Sequence, residues 1–308
     1  MRLVDAVTIF LSSMKGVKSP ATIKWYVQRL EALKEYIGEN VSIGTITVHH
    51  LRLWRSSISD RSQRYEKHPT RQTETGGLSQ ITVHGYVRAI RRFFVWLVEE
   101  GVLSKNPAER FELPPVAHSP KSGISDRDQA LMLEWAKANN IRDYAILMFV
   151  ADTGCRAAGV AGLKLRDLDI EQRRAIVYEK GRGGNNKGRT VYFLPDTATA
   201  LHNWLIKRIK SNHDFAFSSA QGERLTPTGI YQIFKRIAKI VNVGEKWSPH
   251  QWRHWRARKW AEGGMNLGIV AQLLGHTDVK VTSVYYGTFA DSDLQKAHQK
   301  YTTMGRTY

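Results

Sequence analysis

This sequence predicts a mainly α-helical chain in two parts, the second carrying a small β-hairpin. Three observations predict it. Apolar residues recur at helical spacing along most of the chain, and a polar, proline-containing break interrupts them at about 112–124. Beyond the break, two short apolar segments flank a glycine- and asparagine-rich connection. A length of 308 residues is compatible with two domains.

Taken in order, Val4, Val7, Phe10 and Leu11 mark a first helix. Ser19-Pro20 is a helix-start signal for a second, with Ile23, Tyr26, Leu30, Leu33 and Ile37 on its inner face and Gly38 at its end. A third runs from about Val48 to Ser59. Residues 60–77 are polar, contain a proline and paired glycines, and read as a loop. A long helix from about Ser79 to Glu100 buries Val83, Tyr86, Ile90, Phe93, Phe94 and Leu97, and carries Arg88, Arg91 and Arg92 elsewhere. Asn106-Pro107 and Leu113-Pro114-Pro115 then break the pattern. Residues 1–112 thus form a helical domain, 113–124 a linker and 125–308 a second domain. In that domain, helices are predicted near 125–138 and 142–153. Strands follow at Ala175–Glu179 and Arg189–Leu194. The remaining helices fall near 196–210, 226–241, 249–262, 266–274, 278–286 and 290–301.

The formal charge is +18, with 17 basic against 11 acidic side chains in residues 1–118 and 29 against 17 afterwards. Both parts are basic, as expected if both contact one polyanion. A single cysteine precludes an internal disulfide and fits a reducing compartment. Cys155 lies in an apolar segment and reads as a small core residue. Residues 1–20 show no signal-peptide pattern, and the longest apolar run, Tyr144 to Ala151, is too short for a membrane span. The expectation is a soluble cytoplasmic protein.

The residues that bear chemistry lie in the second domain. Ser248 and Pro249 begin a helix, which puts His250 in the first turn and Arg253 three residues on, on a shared face. A helix amino end already favours anions. Arg156 and Lys180 upstream, and His276 and Tyr285 downstream, add two cations, an acid-base group and a hydroxyl nucleophile. Such a set suits attack on a phosphodiester. Arg166 and Arg189 read as surface ion-pairing residues. Trp247, Trp252, Trp255 and Trp260 read as core.

These motifs resemble those of the tyrosine recombinase (phage integrase) family. Thr153-Gly154-Cys155-Arg156 is similar to its first arginine motif, and Glu179-Lys180-Gly181 with Lys187-Gly188-Arg189 to its lysine-bearing β-hairpin. His250-Gln251-Trp252-Arg253-His254, Leu273-Leu274-Gly275-His276 and Tyr285 complete the order. The resemblance spans almost the whole chain. It implies a two-domain DNA clamp, a helical core-binding domain joined to a tyrosine recombinase catalytic domain. Arg156 and Arg253 would bind phosphate oxygens with paired N–H groups, as lysine would not, and His276 would donate to the same phosphate. Tyr285, whose hydroxyl ordinarily titrates near pH ~10, would be the nucleophile, with His250 as base. Lys180 would protonate the leaving 5′-oxygen. Lys187 competes with Lys180 for that role, and Tyr286 adjoins Tyr285. Two departures stand out: Gly159 replaces the acidic residue usual three positions after the first arginine, and Trp252 replaces a leucine.

The activity so implied is site-specific DNA cleavage and rejoining through a 3′-phosphotyrosyl link. It would need no cofactor, metal or ATP. The partners would be double-stranded recombination sites, a homotetramer with two protomers per site, and accessory DNA-bending proteins. The end of the chain, Ala290 to Tyr301, would dock on a neighbouring subunit. A type IB-like topoisomerase and a catalytically inactive DNA-binding regulator are the alternatives.

Overall fold

A computed structural model describes residues 1–64, 72–116, 123–180, 186–209 and 212–275, with the backbone alone at Arg64, Lys180, Asn186 and Lys187. The chain is mainly helical with a small antiparallel sheet, in two compact units, Met1–His118 and Ser119–Tyr308.

The first unit packs α1 (Leu3–Ser13), α2 (Pro20–Ile37), α3 (Val48–Ser59) and α4 (Gln80–Glu99). Three of these begin on a side-chain cap that satisfies an otherwise orphaned N–H. Ser19 Oγ accepts from Thr22 N, Thr47 Oγ1 from His50 N and Ser79 Oγ from Thr82 N. The apolar face of each helix meets the others around Phe10, Trp54, Phe93 and Phe94, all fully buried or nearly so. The indole of Trp54 remains satisfied there, because its Nε1 donates to Ala32 O at 3.1 Å. Arg88 and Arg92 are exposed on α4, and Arg92 pairs with Glu99. Within 60–77, read above as loop, Gln63–Arg64 (β1) pairs with Glu74–Thr75 (β2). A two-residue ladder has no periodicity for a sequence to display. Chain beyond α4 stays bonded to this unit through Arg52–Glu112, at 2.8 Å, and His84 Nδ1 to Pro114 O, at 2.9 Å.

The second unit runs α5 (Asp126–Asn139), α6 (Ile141–Thr153), α7 (Ala157–Ala161), β3 (Leu168–Asp169), β4 (Arg174–Lys180), β5 (Asn186–Tyr192), α8 (Pro195–Lys207), α9 (Pro227–Ile240), α10 (Pro249–Glu262) and α11 (Leu267–Leu274). The strands form one antiparallel sheet in the order β3-β4-β5, with Val177 opposite Arg189 and Lys180 opposite Asn186. The hairpin therefore reaches further than predicted: Asn186, Lys187 and Gly188 belong to the second strand. Main-chain pairing needs no apolar side chain, which is why polar residues continue it. The short elements α7 and β3 also lie outside what periodicity showed. Helix α6 is the central element, with Ala145, Ile146, Leu147, Phe149 and Val150 fully buried. Predicted helices at 278–286 and 290–301 lie outside the described residues, as do His276 and Tyr285. Among the described residues, no helix is long and apolar enough to cross a membrane.

Trp252, on α10, is fully buried and meets Phe234 edge-on, with ring centroids 5.3 Å apart. Trp247 and Trp255 pack partly buried against the same core, and Trp260 against a smaller cluster with Ala257, Val270 and Leu274. Trp252→Ala should destabilise this unit by about 3–5 kcal/mol, read from guanidinium unfolding of the intact chain. A loss under about 1 kcal/mol would contradict the central packing of that ring.

Candidate active site

Arg156 is placed by a change of direction. Helix α6 ends at Gly154, whose φ of 59° and ψ of 24° are left-handed, a conformation glycine adopts without cost. Space demands glycine here as well, since a Cβ would lie 2.9 Å from Leu274 Cδ2. Thr153 Oγ1 then accepts from Cys155 N, and Arg156 leads extended into α7. Its side chain is 38% exposed, so the guanidinium is available to solvent.

The carboxylate of Glu179 determines where that guanidinium lies. On β4, Ala175, Val177 and Glu179 alternate inward and are all buried, while Ile176 and Tyr178 are exposed. An ionised group in an inward row requires partners. Oε1 accepts from Arg156 N at 2.6 Å, and Oε2 accepts from Arg156 Nη1 at 2.7 Å. Arg253 Nη1 lies 3.8 Å from Oε2, and Arg189 Nη2 lies 3.4 Å from Oε1. Three arginines from α10, β5 and the α6–α7 turn thus converge on one carboxylate. These four groups are net cationic.

Burial alone would raise the Glu179 pKa. The opposing pull of Arg189, then of Arg253 and Arg156, wins and holds it below the usual value. Arg156 is nearer than Arg189, but its greater exposure lets water screen its charge. Burial pushes Arg253 down to about 10, with the neighbouring Arg156 charge acting in the same direction. It remains a cation at neutral pH. Burial lifts the Cys155 thiol to about 11, consistent with its place in the core rather than as a reactive thiol.

Arg253 is 1% exposed and pins the carboxyl ends of α6 and α11 together. Its Nη1 donates to Gly154 O at 2.7 Å and its Nη2 to Leu274 O. Arg189 Nη1 donates to Leu273 O. The last carbonyls of α11, orphaned by helix geometry, thus receive guanidinium donors. Gly275 caps that helix in the left-handed region, and His276 follows directly.

Several expectations change here. Arg189, read as a surface ion-pairing residue, is 13% exposed and bonded inside the cluster. Arg166 is exposed, as expected. His250 is exposed while Arg253 points inward, so the ring His250 meets is that of His254, with centroids 4.2 Å apart. His254 is itself buried. The acidic side chain that the resemblance would place at 159 is absent. A carboxylate occupies that neighbourhood nonetheless, and it comes from Glu179. The signal that could have revealed it was an acid in the inward register of an otherwise apolar strand. Lys180 ends β4, directly after Glu179 and paired through its main chain with Asn186.

A mainly helical unit with a three-stranded sheet, bearing three arginines that converge on one carboxylate beside a helix end, defines a class of helical unit with a cationic cluster. The comparisons give that class a family. Residues 125–291, more than half of the chain, match the phage integrase family. Tyrosine recombinase XerC of Corynebacterium glutamicum is 28% identical over 92% of this chain and 86% of its own length. Tyrosine recombinase XerD of Listeria innocua is 30% identical over 68% of this chain and 72% of its own. The fold is shared with a Tn1549 transposon integrase in complex with transposon right end DNA, at a TM-score of 0.80 and 18% identity, covering 98% of this chain and 100% of that one. A lambda integrase dimer bound to a core site gives 0.71 at 13% identity, covering 92% and 77%. The chain belongs to the phage integrase family of tyrosine recombinases.

Glu179 gives the unit a defined acid response. A carboxyl whose folded pKa lies below its unfolded value, about 4.3 for glutamate, contributes stability that is fully present above that value. The contribution is lost as pH falls through the folded pKa. The margin by which the wild-type protein melts above Glu179→Gln should therefore shrink on acidification below pH ~4. A margin independent of pH would contradict the ion pairing.

Proposed function

We propose that the chain is a site-specific DNA recombinase, a tyrosine recombinase that cuts and rejoins strands through a 3′-phosphotyrosyl intermediate. The observation that carries this reading is the meeting of Arg156 and Arg253 on one oxygen of Glu179, inside a unit that matches the family. Two guanidinium groups, 97 positions apart in sequence, are held together although like charges repel. An arrangement of this kind is useful where negative charge develops on the non-bridging oxygens of a pentacoordinate phosphate.

In this reading Arg156, Arg253 and His276 hold the scissile phosphate. Tyr285 attacks phosphorus and forms a phosphotyrosyl ester as the bond to the 5′-oxygen breaks. His250 accepts the phenolic proton and Lys180 supplies one to the departing 5′-hydroxyl. Attack by a second 5′-hydroxyl reverses the chemistry on a new strand, with the bond energy conserved. Residues 1–112 act as the core-binding domain, 113–124 as linker and 125–308 as the catalytic domain. Structural relatives held on transposon-end and core-site DNA support double-stranded DNA as the partner. A dimer on one core site in a relative supports two protomers per site, hence a homotetramer when two sites meet. Accessory DNA-bending proteins and a cytoplasmic location complete the proposal.

Covalent capture tests it. The protein is incubated in EDTA with fragmented source DNA and denatured, and protein-linked DNA is sequenced for the wild type, Tyr285→Phe and Tyr286→Phe. Adducts lost only in Tyr285→Phe are expected, and they identify the target sequence. Loss only in Tyr286→Phe would move the nucleophile by one residue. No wild-type adduct, with or without cell extract, would overturn the enzymatic reading. Non-covalent affinity should fall by roughly one log unit per log unit of salt for each phosphate neutralised.

A further inference from the structure

Gly159 lies on α7, three residues after Arg156. A Cβ at this position would lie 2.8 Å from Glu179 Oε1 and 3.0 Å from Glu179 Cγ. The Glu179 carboxylate therefore fills the volume that any side chain at 159 would enter. It cannot readily withdraw, because it is only 4% exposed and bonded on both oxygens. One oxygen holds the Arg156 main chain and the other its guanidinium. The same group reaches Arg189 and Arg253.

We infer that Glu179 is the positioning residue for the phosphate-binding arginines, and that Gly159 and Glu179 are a matched pair in which the glycine makes room for a carboxylate delivered by the hairpin. This rests on the proposed phosphate-binding role of Arg156 and Arg253. Glu179 touches no reacting atom. It acts by fixing Arg156 at both ends and by drawing Arg253 alongside. Glutamine would not substitute, because one of its two heads is a donor and would face either the Arg156 N–H or its guanidinium. The strand that positions the arginines also carries Lys180 as its next residue, so one hairpin sets the location of both the anion-binding pair and the candidate proton donor.

The test uses the full chain on nicked duplexes of the captured sequence, under single-turnover conditions. Four proteins are compared with wild type: Glu179→Gln, Glu179→Ala, Gly159→Asp, and the double variant Gly159→Asp with Glu179→Ala. Cleavage by Glu179→Gln should fall about 10- to 100-fold, by analogy with the loss of a group that orients a metal-binding side chain. Non-covalent DNA binding should be retained, since the cationic groups remain. Gly159→Asp alone should also lose cleavage, by forcing a second carboxylate against the first. The double variant, with the carboxylate returned from α7, should cleave about tenfold or more faster than Glu179→Ala. Cleavage is scored per folded molecule, so the comparison of the two variants that lack Glu179 decides the matter even where Glu179→Gln folds poorly. Wild-type-like cleavage by Glu179→Gln, or a double variant no faster than Glu179→Ala, would overturn the inference while leaving the wild-type adduct, and the recombinase reading, intact. Absence of a wild-type adduct would overturn both.

Discussion

Placing an ionised carboxylate in the interior costs several kcal/mol, and it is tolerated only where cations and donors surround it. Glu179 meets that condition with Arg156, Arg189 and Arg253, and much of the second unit's geometry follows. Arg156 is fixed at the turn between α6 and α7. Arg189 ties the hairpin to the carboxyl end of α11. Arg253 joins that same helix end to Gly154. Four segments distant in sequence are thereby held at mutual positions that apolar packing, being non-directional, would not specify.

The cluster divides its labour by burial. Arg253 is almost wholly enclosed and donates to two main-chain carbonyls, so it anchors two helix ends while its charge adds to the phosphate site proposed above. Arg156 keeps a third of its surface open and is the guanidinium an incoming phosphate would meet first. Because three cations face one anion, adding a phosphate offsets repulsion already present among the arginines. In the proposed function, a site preloaded in this way would meet an oxyanion with its donors already placed, which is the condition for electrostatic stabilisation of a transition state. His250 lies at the exposed start of α10, within the turn that leads to Arg253, so a single helix delivers both an acid-base group and an anchor.

Much of the fold was legible because its signals are local. Ser19, Thr47, Ser79, Ser125 and Ser248 each precede a helix and each accept a main-chain N–H from the first turn. The motifs that mark the family were legible for the same reason, since order and spacing along the chain locate them. Burial was harder to read. Helix α10 contains Arg253 and His254 at fully buried positions beside Trp252, so no apolar stripe announces which face turns inward. Glu179 and Arg189 were missed because their roles exist only in three dimensions: neither residue type nor spacing reveals that a carboxylate from a strand occupies the space left by Gly159. The two-residue ladder of β1 and β2 escaped because main-chain pairing alone makes it.

The central claim is that Glu179 matters to DNA cleavage through Arg156. A double-mutant cycle on single-turnover cleavage tests it most directly, with Arg156→Ala, Glu179→Gln and the pair measured against wild type. Removing the arginine leaves the carboxylate nothing to position at that point, so the account predicts that Glu179→Gln has little further effect in the Arg156→Ala background. The corresponding coupling is about 1.4 kcal/mol or more, a tenfold departure from additivity. Strictly additive losses would contradict the account and make Glu179 a residue of stability alone.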